Sequence, residues 1–127
     1  MKLDYNFIKK ILITMEENDD FQIQSFKLMK ALGITHELER LYMGHIQVLG
    51  DNHLIECDDK KHPYGFKIKT NNYCINNANY RITARGYEFL DMLKQDTVFN
   101  KIKNFTVSNA FDIGKQMLIA LATGGIG

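Results

Sequence analysis

The residues best suited to chemistry lie between positions 60 and 69, where Lys60, Lys61, His62, Lys67 and Lys69 surround Tyr64 and Phe66. Clustered ammonium groups attract phosphate oxygens, and a basic hairpin with aromatic residues at its tip suits a phosphate backbone or a minor groove. Lysines also keep an exposed strand edge from pairing with another chain, and Asp58 and Asp59 neutralise part of this charge. Both readings stay open from the sequence. A second set falls in THELERLYMGHIQVLGD, residues 35–51. On a helix, Arg40 can pair with guanine and Gln47 with adenine, and Gly44 between them lets the backbone approach a partner closely. Glu37 and Glu39 flank this face and repel phosphate, so an ordinary solvated face is the competing reading.

Other chemistry is thinly represented. Glu88 and Asp91 lie one helical turn apart, but acid–base work needs a nucleophile, a metal or a phosphate loop beside such carboxylates. GxSxG, P-loop, HExxH and CxxC patterns are all missing from the chain. We therefore expect no enzyme, no catalytic residue, no cofactor, no metal and no small-molecule ligand. A zinc site at Cys57 and Cys74 would have to recruit His53 and His62; two ordinary thiols in a reducing cytoplasm are the simpler reading.

Composition bounds the rest. A chain of 127 residues with 45% hydrophobic residues supports one domain with a real core. The formal net charge of +1 argues against tight binding driven by total charge, although affinity follows the local face. Charges interrupt the N-terminal apolar residues, unlike a signal peptide. MLIALATGGIG at the C-terminus is too short for the roughly 18 apolar residues of a membrane span. A cytoplasmic protein without a membrane segment is expected.

These side chains need a scaffold. Tyr5, Ile8, Ile11, Leu12 and Met15 have the three-and-four spacing of a buried helix face, with Asp4 as cap. FQI at 21–23 reads as a short strand, and Ser25 as the cap of a helix stopped by Gly33. Thr35 would cap a third helix, 36–50. Its wheel turns Leu38, Leu41, Tyr42, His45 and Leu49 inward, and His36, Arg40, Met43, Gly44 and Gln47 outward. His45 is thus read as a core histidine bonded to backbone. NHLIEC, FKIK, YCI and Tyr80-Arg81-Ile82 follow as strands, with a turn at Asn71-Asn72. Thr83 caps a helix from Ala84 to about Lys94, and Gly86 marks a close backbone approach in its first turn. Asp96 and Ser108 are placed to cap two last helices, and TGGIG should fray.

Three helices, a strand, a hairpin, a returning strand and further helices are the order of a winged helix-turn-helix, mainly α with a small β wing. The chain also resembles a bacterial and phage family known only as a domain of unknown function, built on a winged-helix-like core. Its Met-Lys-Arg-Asp opening corresponds to Met1-Lys2-Leu3-Asp4, and its third-helix histidine and Leu-Ile to His45 and Leu54-Ile55. Its Leu-Thr-Trp-x-Gly-His-Glu-Phe-Leu-Asp phrase corresponds to Ile82 through Asp91, with Ala84 and Tyr87 as departures; Phe99-Asn100-Lys101 stands for its Trp-Asn-Lys. The resemblance implies a fold and no established activity.

The expectation is a winged-helix domain at 1–95 with a helical extension at 96–127, packed on the domain or on a second copy. Helix 36–50 would enter a major groove of duplex DNA through Arg40 and Gln47. The wing, 58–79, would touch the backbone through Lys60, Lys61, Lys67 and Lys69, as in a transcription regulator or phage-derived protein. Phe111, Met117, Leu118 and Leu121 would join two copies in a homodimer. The alternative is a protein-interaction module on the same scaffold.

Overall fold

The computed structural model describes residues 1–124, and within them the chain forms six α-helices and five short strands. Helix α1 (Tyr5–Glu16) starts as expected: the Asp4 carboxylate accepts the Phe7 N–H at 3.1 Å, satisfying one of the free donors of the first turn. Its buried face is Tyr5, Ile8, Ile11, Leu12 and Met15, the set given by the spacing. Strand β1 (Gln22–Gln24) sits one residue later than FQI suggests and leaves Phe21 exposed. Helix α2 (Ser25–Leu32) ends at Gly33, whose φ of 68° is the left-handed conformation that closes a helix.

Four caps differ from expectation. Ser25 is the first residue of α2, one past the cap position, which Gln24 holds, and is buried; its hydroxyl donates to the Asn76 carbonyl at 2.5 Å. Thr35 makes no capping bond and precedes a 3-10 turn, His36–Leu38. Asp96 lies inside α5 (Asp96–Ile102), with Gln95 in the cap position. Thr106 caps α6 (Val107–Ala122) by accepting the Asn109 N–H, in place of Ser108.

The 3-10 turn also changes the face that the third helix buries. Regular α3 runs from Glu39 to Asp51. A 3-10 turn advances about 120° per residue instead of about 100°, so a wheel phased on Leu38 is out of step with the helix proper. Tyr42, Met43, His45, Ile46 and Leu49 are buried, whereas Leu38 is 41% and Leu41 36% exposed. Met43 was expected outside and lies in the core.

Four strands follow: β2 (Ile55–Cys57), β3 (Phe66–Lys69), β4 (Asn72–Ile75) and β5 (Asn79–Ile82). Strand β5 lies between β1 and β2, antiparallel to both, with Ile23 opposite Tyr80 and Glu56 opposite Arg81. This sheet ties together the chain before α2 and the chain after α3. Strands β3 and β4 pair separately as a hairpin, with Ile68 opposite Tyr73.

Thr83 begins α4 (Ala84–Lys94) with both functions of its hydroxyl, which accepts the Gly86 N–H at 3.0 Å and donates to the His53 carbonyl at 2.6 Å. A Cβ on Gly86 would lie 2.0 Å from the Leu54 carbonyl oxygen, so the close approach read from the sequence is a contact with backbone. Helices α5 and α6 pack on α4. Phe111 stacks on Phe89 with centroids 6.3 Å apart, and the Arg85 guanidinium lies 3.7 Å from the Phe111 centroid. Phe111 is only 3% exposed, so it belongs to the core and is not available to a second copy. Thr123 and Gly124 donate backbone N–H groups into the end of α6; the rest of TGGIG, 125–127, lies outside the described residues. Among the described residues no helix is long and apolar enough to cross a membrane.

Candidate nucleic-acid interface

Helix α3 and the β3–β4 hairpin form one surface. Arg40 and Gln47 are exposed and line a groove of about 400 Å³ with Met43, Gly44, Val48, Asp51 and Ile68 of the hairpin. Arg40 and Gln47 are seven residues apart, two turns of helix, so both face this groove. The Cβ of a side chain at Gly44 would collide with the flexible Met1 side chain, at 2.5 Å from its sulfur.

Neither Glu37 nor Glu39, the two carboxylates that flank this face, pairs with Arg40. The Glu39 carboxylate accepts from His36 Nδ1 at 2.8 Å and from the Tyr73 hydroxyl at 3.1 Å. The Arg40 guanidinium lies over the Tyr73 ring, 5.4 Å from its centroid, and has no carboxylate partner among the described residues. The Tyr73 hydroxyl is pushed up from its ordinary pKa by loss of water and by the Glu39 carboxylate, against the opposing pull of Arg40. Tyr73 was not among the residues picked from the sequence. Its only prior signal was a place in the hairpin, with no indication that β4 would lie against the first turn of α3.

Lys67 and Lys69 of the hairpin do not form one strip with Arg40. Ile68 and Tyr73 share the hairpin face toward α3, and side chains alternate along a strand, so Lys67 and Lys69 project from the opposite face. Lys60 and Lys61 are exposed in the loop before the hairpin. Asp59 organises that loop by accepting the Lys61 and His62 N–H groups at 3.0 and 3.2 Å and the Asn76 amide at 3.1 Å. Asp58 accepts the Asn79 N–H at 2.9 Å and its amide at 2.8 Å. The Tyr64 hydroxyl donates to Asp51, fastening the loop to the end of α3. Asp58 and Asp59 are thus structural anchors as well as charges beside the lysines.

His45 is a core histidine. Nδ1 donates to the Leu41 carbonyl at 2.8 Å, Nε2 accepts the Asp4 N–H at 3.0 Å, and the Phe7 ring packs edge-on at 5.1 Å. A carbonyl only accepts and an N–H only donates, so these two bonds fix one neutral tautomer. Cys57 is half-buried with its thiol pushed up by burial, and Cys74 is exposed; both are free. Among the described residues, no group of three or more His, Cys, Asp or Glu side chains is placed to hold a metal ion. On α6, Met117 and Leu118 are half-buried against the core, while Leu121 and the adjacent Ile119 are exposed.

Among the described residues the arrangement presents one guanidinium without a carboxylate partner, lying over a tyrosine ring, and one amide on a helix, beside a hairpin whose Lys67 and Lys69 point elsewhere. A family model described as Hypothetical protein (DUF2513) matches residues 2–112, from just before the cap of α1 into α6. No curated protein and no solved structure matches the chain.

Proposed function

The chain belongs to the family described as Hypothetical protein (DUF2513), and we propose that it is a winged-helix protein that binds duplex DNA, with α3 in the major groove and the hairpin as the wing. The sheet order β1–β5–β2, with α1 before β1 and α2 and α3 between β1 and β2, supports the winged-helix reading. The observation that carries the DNA reading is the state of Arg40: the nearby Glu39 is engaged by His36 and Tyr73, which leaves the guanidinium for an external partner. Arg40 also sits in the first turn of α3, and recognition helices contact base edges chiefly through their N-terminal residues. The tip lysine Lys69, opposite Asn72 in the hairpin, is next to the Ile68–Tyr73 pair and can reach a neighbouring phosphate. A regulator or a phage-derived protein would use such a face.

Protein docking on the same face is the second reading. It is favoured by the exposed apolar side chains around Arg40, namely Leu38, Leu41 and Ile68, and by the outward turn of Lys67 and Lys69. Backbone amide shifts on adding a short mixed-sequence duplex separate the two. The DNA reading predicts shifts concentrated in residues 36–48 and 66–73. A spectrum unchanged at low salt would transfer this face to a protein partner.

A homodimer contact through α6 is part of the proposal. The helix ends in Met117-Leu118-Ile119-Ala120-Leu121-Ala122, apolar on every side, whereas a helix at a water surface keeps a polar face. With Phe111 inside the fold, the contact rests on Met117, Leu118, Ile119 and Leu121.

A further inference from the structure

We infer that Tyr73 positions Arg40 as a base reader, so that the DNA bound by this face carries a guanine opposite the first turn of α3. The inference rests on the DNA-binding reading above and names what that site recognises.

An arginine on a helix surface ordinarily samples many rotamers and finds phosphate as readily as a base. Arg40 is held differently. Its guanidinium carbon lies over the Tyr73 ring, 5.4 Å from the centroid, within the range of a cation–π attraction. That ring is itself fixed through its hydroxyl to Glu39, and Glu39 is fixed to His36, so three side chains, from β4, α3 and the 3-10 turn, define where the cation lies. This contact leaves the N–H fork free to donate and lowers the rotamer freedom lost on binding.

The local charge then selects between acceptors. The half-buried Glu39 carboxylate repels a phosphate brought to the fork, but it opposes a neutral base edge much less. The O6 and N7 atoms of guanine are a neutral acceptor pair matched to the fork, and they lie in the groove that a helix of this kind enters. Gln47 follows two turns later, about 10 Å along the helix axis, and offers an amide that suits adenine at a second read position.

Selection of bound duplexes from a random pool tests this with the wild type, Arg40→Ala, Tyr73→Leu and Tyr73→Phe, with thermal melting of each variant to verify folding. The wild type is expected to prefer guanine at one position by roughly tenfold or more. Arg40→Ala and Tyr73→Leu should lose that preference while still retaining duplex in a salt-dependent way. Tyr73→Phe keeps the ring but loses its bond to Glu39 and should keep part of the preference, between wild type and Tyr73→Leu. Wild-type binding without a guanine preference, or a folded Tyr73→Leu variant that keeps it, would overturn the inference and leave DNA binding intact. Failure of the wild type to retain any duplex at low salt would overturn the DNA reading and this inference with it.

Discussion

Glycine 86 shows how far one residue can be read. In a helix interior, replacing glycine by alanine ordinarily stabilises by about 1 kcal/mol. Here the added Cβ would meet the Leu54 carbonyl oxygen at 2.0 Å, and that oxygen already accepts the Thr83 N–H, so it cannot easily withdraw. Gly86→Ala is predicted to destabilise by about 2–4 kcal/mol in urea unfolding, the opposite sign to the propensity effect. Its role was legible because Ile82-Thr83-x-x-Gly86 joins a strand end, a cap and a small residue at fixed spacing. Tyr42 shows the converse. Its hydroxyl, beside that of Tyr80, is buried and makes no hydrogen bond of normal geometry. Tyr42→Phe should be neutral or stabilising by up to about 1 kcal/mol, because a desolvated group without a partner is removed. Tyr80→Phe removes the 2.5 Å bond to the Tyr64 carbonyl and should cost about 1 kcal/mol or more in the same assay. Nothing in the one-dimensional pattern distinguishes these two tyrosines.

Elements carry the next layer. Helix α1 and helix α3 are joined at His45, whose two ring nitrogens serve one backbone group from each side. His45→Ala leaves the Asp4 N–H and the Leu41 carbonyl without these partners and opens a cavity, a loss of about 3–5 kcal/mol by denaturant titration. The loop between β2 and β3 depends on carboxylates. The Asn79 backbone N–H, and then its side-chain amide, hold Asp58 below its ordinary value of 3.8. At Asp59, burial pushes upward but is outweighed by the Lys61 and His62 N–H groups and the His62 and Asn76 side chains, so its value is also lowered. A lowered folded value means that the folded state binds fewer protons than the unfolded one. The stabilisation is therefore complete above the ordinary aspartate value and is lost as pH falls through the depressed one. Melting temperature should drop from about pH 5 to about pH 2, and drop less in Asp58→Asn. The helices and strands were legible from periodicity, and most boundaries fell within a residue or two. The face of α3 was not, because a 3-10 turn shifts the phase before Glu39 and makes Leu38 look like part of the core stripe.

At the scale of the whole molecule, the order of elements was legible, whereas the position of the hairpin against α3 was not. Lys67 and Lys69 are close in sequence to Ile68, yet strand alternation turns them away from Arg40 and Gln47, while Lys60 lines a separate groove with Gly50 and Asp51 at the end of α3. Tyr73 is remote in sequence and lies under Arg40. Such pairs arise from how a hairpin settles on a helix, which no local pattern encodes. The proposed homodimer is tested by sedimentation equilibrium: the wild type should show a dimer whose mass falls to that of a monomer in Leu121→Glu and Ile119→Glu, and a wild type that is monomeric throughout would remove it. The central claim is that α3 and its wing bind duplex DNA. Fluorescence anisotropy with a random duplex, at about 50 and about 200 mM salt, tests it most directly. The account predicts binding at the lower salt that weakens steeply at the higher, and further loss in Arg40→Ala; no binding at the lower salt would contradict it.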